Sequence, residues 1–153
     1  MKYLALCLLA LALSIPAVAQ DDKPLSDKTK ALIEKAEGGD AVAQWRVGLK
    51  YAKGEGVLKD DKEAVKWYRK AADQGLSNAQ VKLGYAYENG EGVLKDYVKA
   101  YAWYSLSAFK NEKRQESRDQ LAEKMTPEQL AEGQELSQEL LKQIEENNKK
   151  KAK

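Results

Sequence analysis

An internal repeat limits what this chain can fold into more than any other feature of its sequence. Residues 41–76 align on residues 77–112 without a gap, with 15 of 36 positions identical. The heptapeptide Gly-Glu-Gly-Val-Leu-Lys-Asp occupies Gly54 to Asp60 and recurs at Gly90 to Asp96. Outside it Ala43/Ala79, Gln44/Gln80, Gly48/Gly84, Tyr51/Tyr87, Ala64/Ala100, Trp67/Trp103, Tyr68/Tyr104 and Ala72/Ala108 match. A recurring unit of this size is a supersecondary element too small to bury its own apolar face, so the copies must stack on one another.

Each unit holds two helical patterns. In the first, Ala43, Val47 and Tyr51 recur every four residues with Gly48 beside them, giving one face of small and large groups. Small residues there let a second helix approach. In the second, Ala64, Trp67, Tyr68, Ala71 and Ala72 fall at i, i+3, i+4, i+7 and i+8, and Gly75 stands where a helix commonly ends. Asp40 is placed to cap the first helix of the leading unit, and Ser77 with Gln80 reads as a capping box at the start of its counterpart.

The paired glycines between the two helices invite comparison with a phosphate cradle. A cradle needs a preceding strand, more glycines and usually a Lys-Ser/Thr pair opening the next helix, and the sequence supplies none of these. The segment is instead a connector: one glycine ends the first helix in the left-handed conformation and the other permits the turn. Val57 and Val93 plug between the helices, and Asp60 and Asp96 start the second helix.

Taken together, A-x-x-x-Φ-G-x-x-Y, G-x-G-V-x-x-D and A-x-x-W-Y-x-x-A-A-x-x-G resemble the Sel1-like repeats, relatives of the tetratricopeptide repeat. Here the motif residues are Ala43, Val47, Gly48, Tyr51, Gly54, Gly56, Val57, Asp60, Ala64, Trp67, Tyr68, Ala71, Ala72 and Gly75. The second copy departs at its end, where Ser107 replaces an alanine and Asn111 takes the glycine position, with Leu106 and Phe109 where Lys70 and Asp73 stood. The array is expected to stop there. The resemblance implies an all-α fold, a short right-handed solenoid of stacked helix-turn-helix units with a C-terminal capping helix, and a role in protein binding.

The flanks extend the pattern. Ala36 and Gly39 precede Ala72 and Gly75 by one period, so residues 26–38 read as the second helix of a leading half-repeat within 20–40. Repeats at 41–76 and 77–112 follow. Ser117, Leu121, Ala122 and Met125 restore the spacing of Ala43, Val47, Gly48 and Tyr51 after an insertion of two residues. Thr126-Pro127-Glu128-Gln129 then combines an N-cap, a proline at N1 and a glutamine at N3, opening a helix whose Leu130, Leu136, Leu140, Leu141 and Ile144 share one face. Residues 113–148 therefore read as a degenerate half-repeat and cap, similar to the terminal caps of short exported Sel1-like proteins, and 149–153 as part of a frayed basic tail.

Residues 1–19 have the layout of a secretory signal peptide: Lys2, an apolar run from Leu4 to Leu13, Pro16, then Ala17-Val18-Ala19 before a polar Gln20-Asp21-Asp22. The run is shorter than the roughly 20 residues needed to span a bilayer. Cleavage after Ala19 removes Cys7, the one cysteine, and histidine is absent throughout. The mature chain is thus expected to be secreted, most naturally to the periplasm, with no membrane span. It has neither thiol nor imidazole for a metal site, a disulfide or a Ser-His or Cys-His nucleophile, and no cofactor is implied. With 26 basic against 24 acidic residues the formal charge is +2, which favours no polyanion, and nucleic acid is not an expected partner.

Function is then sought on the surface of the first helices. Trp45 and Leu49 point away from the Ala43/Val47/Tyr51 face, their counterparts one period on are Val81 and Tyr85, and Arg46 and Lys82 flank them. An apolar groove with a basic border suits a protein or peptide in the cell envelope. Trp45 and Leu49 have a competing role, covered by the leading half-repeat around Leu32 and Ile33, whereas Trp67 and Trp103 sit at packing positions. The alternative is an enzyme or binding module acting on a cell-wall polymer through Glu55 and Glu91. Their loops are expected roughly 8–10 Å apart by helix-packing distance. Glycosidase carboxylates need a comparable spacing, about 5–9.5 Å, but one of them also needs a pocket that raises its pKa. Exposed loop positions beside Lys59 and Lys95 do not offer one.

Overall fold

In the computed structural model, residues 25–108 and 112–152 are described. The signal-like segment 1–19, Cys7, Phe109 and Asn111 lie outside them. Among the described residues there are seven helices and no strand: α1 (Asp27–Glu37), α2 (Ala41–Lys53), α3 (Asp61–Ala72), α4 (Ser77–Asn89), α5 (Tyr97–Ala108), α6 (Glu112–Ala122) and α7 (Pro127–Lys151). Each of α1 to α5 packs on the next helix in chain order, as a helical repeat solenoid requires.

The core repeats with the sequence. Ala36, Ala43, Val47 and Trp67 are buried together, with Leu32, Ile33 and Tyr51 against them. One period on, Ala72, Ala79, Leu83 and Trp103 lie in the larger cluster that runs through α3, α4 and α5 to Leu121, Met125 and Ile144. Trp67 is 8% exposed and Trp103 1%. Burying an indole of this kind is worth up to about 5 kcal/mol at the usual value per unit of apolar area. The motif glycines of the first helices have a packing reason: a Cβ on Gly48 would lie 2.6 Å from the Tyr68 ring, and one on Gly84 2.5 Å from the Tyr104 ring.

Caps and turns follow the expected chemistry at most ends. Asp40 accepts from the backbone N–H of Ala43, Asp60 from that of Glu63 and Asp96 from that of Lys99. Gly54 and Gly90 end α2 and α4 in the left-handed conformation, at φ 71° and 76°. Thr126 and Gln129 form the capping box of α7.

The start of α4 differs. Its N-cap is Leu76, no side chain caps it, and Ser77 is already helical. Gln80 does not reach back to Ser77; it is buried, and its amide donates to the carbonyl of Ala72 at the end of α3. Gln44 does the same for Ala36, at 3.0 Å. The repeated glutamine therefore ties each first helix to the helix before it, adding a second bond to a carbonyl that already accepts from the glycine three residues on.

The C-terminal end differs more. α7 runs on to Lys151 through the segment read as a frayed basic tail, because its last turns have partners: Asn148 donates to the carbonyl of Gln74 and Lys151 to its side-chain oxygen. Gln74 in turn donates to Gln44 and to the carbonyl of Gly39. α7 also packs on α5 rather than on α6. The face of α5 it meets is apolar, and a Cβ on Gly133 would strike the Tyr101 ring.

Candidate protein-interaction site

The six residues singled out on the first helices divide. Tyr85 is 47% exposed, and Arg46 and Lys82 are exposed. Trp45, Leu49 and Val81 are half-buried and pack against the larger core cluster. Leu32 and Ile33, the residues expected to cover Trp45, pack with Trp67 and Val47 in the other cluster. The indole nitrogen of Trp45 is buried without a hydrogen-bond partner among the described residues. Nor do Glu55 and Glu91 meet in one cleft. Glu55 pairs with Lys53 at 3.5 Å, whereas Glu91 lines a cleft that Glu55 does not reach.

That cleft, of about 70 Å³, lies where α2, α3 and α4 come together, with Ala52, Asp61, Tyr68, Lys82, Tyr85 and Glu91 among its walls. Two of the expected groove residues, Lys82 and Tyr85, therefore border it, while Asp61 and Tyr68 come from the second helix of the preceding repeat. The loop geometry explains the meeting. Gly92, at φ 71°, brings its loop so close to the start of α3 that a Cβ there would collide with the carbonyl of Asp61, and this sets Glu91 beside α3. Tyr68 is only 4% exposed, and burial, followed by the negative charges of Asp61 and Glu91, pushes its hydroxyl up to about 12. The signal for this cleft was in the repeat alignment: Ala52 stands where the second repeat has Glu88.

Two further observations concern chemistry. Among the described residues no group of three or more Asp, Glu, Cys or His lies together to hold a metal ion, and no helix is long and apolar enough to cross a membrane.

The family model described as "Sel1 repeat" matches at residues 41–76 and again at 77–108. The chain carries two Sel1 repeats. Among solved structures it is similar to c5321, a protective antigen present in uropathogenic Escherichia coli strains and displaying an SLR fold. The TM-score is 0.73 at 38% identity, over 76% of this chain and 25% of that one. It is also similar to a Sel1 repeat protein from Oxalobacter formigenes, with a TM-score of 0.54 at 43% identity, over 56% of this chain and 35% of that one. The chain thus spans a quarter to about a third of the length of either relative. No curated protein matches it.

Sel1 repeats typically serve as scaffolds for protein–protein interaction, and the fold is generally not an enzyme's. In these two repeats the packing residues are accounted for by the core, and Tyr85 is not one of them. An aromatic ring half exposed on a repeat helix, next to a cleft, is available to a partner.

Proposed function

We propose that the protein is a non-catalytic adaptor of the bacterial cell envelope, which binds a protein or peptide partner across the first helices of its two Sel1 repeats. The observation that carries this reading is Tyr85, a large ring exposed beside Lys82 at a position the repeat does not need for packing. Exposed aromatic side chains flanked by a cation are the usual anchors of such contacts. Arg46 and Lys82 form the border, and the half-buried Trp45, Leu49 and Val81 form the floor. The envelope location rests on residues 1–19, and intact-mass analysis of the exported protein tests it: the mature chain should begin at Gln20 and carry no lipid.

Binding is tested by affinity capture from an envelope extract, with the wild-type mature chain and a Tyr85→Ala variant as baits. A specific partner should be retained by the wild type and weakened about tenfold or more by the substitution, as for a hot-spot residue. The melting temperature should hardly move, because a surface change of this kind alters stability by about 0.5 kcal/mol or less. Equal retention of every captured protein by both baits would refute the assignment of this face.

A further inference from the structure

The two repeats treat equivalent tyrosines differently. In the second, the hydroxyl of Tyr104 donates to Glu88 at 3.0 Å, and Lys124 donates to the other oxygen of the same carboxylate at 2.9 Å. Tyrosine, carboxylate and ammonium thus form a bonded trio. In the first, Tyr68 is the counterpart of Tyr104, and Ala52 stands where Glu88 would be. With the insertion before α6, Leu121 is the counterpart of Leu83, both fully buried, and in that register Ala86 is the counterpart of Lys124. Both polar members of the trio are thus alanines, and both alanines line the cleft.

Its chemistry is incomplete as it stands. Tyr68 forms part of the wall, and its hydroxyl, which keeps some accessible surface, makes no hydrogen bond among the described residues, so it is open to an occupant of the cleft. Carboxylates are present, supplied by Asp61 and Glu91 in place of the missing glutamate. What the cleft lacks, relative to the bonded trio, is a cation paired inside it: Lys82 is in the wall but forms no ion pair among the described residues, and Lys59 reaches Asp61 without lining the cleft. The space, about 70 Å³, suits the end of one side chain and is well below the roughly 300 Å³ at which drug-sized ligand pockets begin.

We propose that this cleft is a subsite for one cationic side chain, a lysine or arginine of the bound protein or peptide, held between the carboxylates of Asp61 and Glu91 and the rings of Tyr68 and Tyr85. It rests on the reading that this face binds a polypeptide, and it says what the polypeptide must present. An ammonium or guanidinium there donates to the two carboxylates and to the free hydroxyl, and it meets aromatic faces that favour a cation. The carboxylates act on the Tyr68 hydroxyl directly, since their charge contributes to holding its proton. Lys59, which pairs with Asp61 at 3.5 Å across an exposed mouth, is displaced by the incoming group.

The test uses random peptides displayed on phage and selected on the immobilised mature protein. Selected peptides should share a lysine or arginine at one position. Replacing it by norleucine, which keeps the chain and removes the charge, should weaken binding about tenfold or more, the scale of a charge-assisted contact. Asp61→Asn with Glu91→Gln should cause a similar loss, and Glu55→Gln, outside the cleft, none. Ala52→Glu with Ala86→Lys should rebuild the trio seen at Glu88 and Lys124, fill the cleft from within and abolish the lysine preference while the protein stays folded by circular dichroism. Peptides that share an acidic or purely apolar anchor would overturn the subsite. So would peptides that lose binding on Tyr85→Ala but not on the paired carboxylate substitutions, an outcome that leaves the adaptor face itself standing. Failure to enrich any peptide would count against both.

Discussion

Replacing Gly84 by alanine sets two effects of opposite sign against each other. In the middle of a helix alanine is favoured over glycine by about 0.8–1 kcal/mol, so on propensity alone the change stabilises. The added Cβ, however, would lie 2.5 Å from Cδ1 and 3.0 Å from Cγ of Tyr104. An ordinary contact needs roughly 1 Å more, and overpacking of this kind costs about 1–3 kcal/mol. Moving the ring also disturbs the hydrogen bond from Tyr104 to Glu88, worth about 1 kcal/mol or somewhat more with a charged acceptor. The net expectation is a loss of about 1–3 kcal/mol, or about 2–12 °C in melting temperature for a chain of this size.

Thermal unfolding followed by circular dichroism measures it, and a double-mutant cycle identifies the cause. In a Tyr104→Ala background the ring is gone, so Gly84→Ala should turn neutral or stabilising, giving a coupling of about 1 kcal/mol or more between the two sites. Gly38→Ala serves as the control. It sits at φ −67° with its nearest neighbours 3.4 Å or more from a Cβ, so it should stabilise by about 0.4–1 kcal/mol through the unfolded chain. A rise in melting temperature for Gly84→Ala, or an equal loss with and without the Tyr104 ring, would refute the argument that the repeat glycine exists to seat the tyrosine.

Trp67→Ala and Trp103→Ala should each cost about 3–5 kcal/mol, the range for deleting a buried large aromatic side chain, as read from urea unfolding. Alkali should destabilise the protein earlier than ordinary tyrosines would suggest. The folded state holds the Tyr68 proton to about pH 12 against 10.0 for the free side chain, so the unfolded chain ionises first and stability falls as pH rises between those values. Tyr104, whose pKa is also raised by burial and then by Glu88, adds in the same direction, and Tyr68→Phe should flatten part of the slope. Deleting residues 126–153 should expose the outer face of α5 and produce aggregation or a large drop in melting temperature. An unchanged monomer would show that α7 is dispensable.

Much of this architecture is legible in the sequence because its determinants are local. Asp40, Asp60, Asp96 and Thr126 cap helices through bonds that span three residues, and Gly54 and Gly90 act through their own φ. The exceptions depend on which helices become neighbours. Gln80 three residues after Ser77 is the pattern of a capping box, yet its amide goes to Ala72, eight residues back, because α3 ends beside it. Asp61, Tyr68 and Glu91 have no common sequence pattern. They meet because the Gly92 loop leans on the start of α3, a contact between repeats. Of the site, Tyr85 and Lys82 were readable as departures from the packing pattern, and Ala52 against Glu88 was the departure that marked the open cleft.

The end of the array follows from where apolar surface is offered. On α3 the outward positions are Lys62, Lys66 and Lys70; one period later α5 carries Val98, Ala102 and Leu106. α6, by contrast, is almost entirely polar from Glu112 to Gln120, and its buried contributions are confined to Leu121 and the following Met125. A third repeat would require the leucines of α7 to pack on α6, where little apolar area awaits them. They pack on α5 instead, where burial is worth about 25 cal/mol per Å² of apolar area. At 25 residues α7 is about 37 Å long, against about 18 Å for α5. The excess carries Ile144 onto Gly75, and Asn148 and Lys151 onto Gln74, at the turn between α3 and α4. The helix that stops the stack thus also clamps the junction of the two repeats, the same junction at which α3 and α4 form the walls of the cleft beside Tyr68.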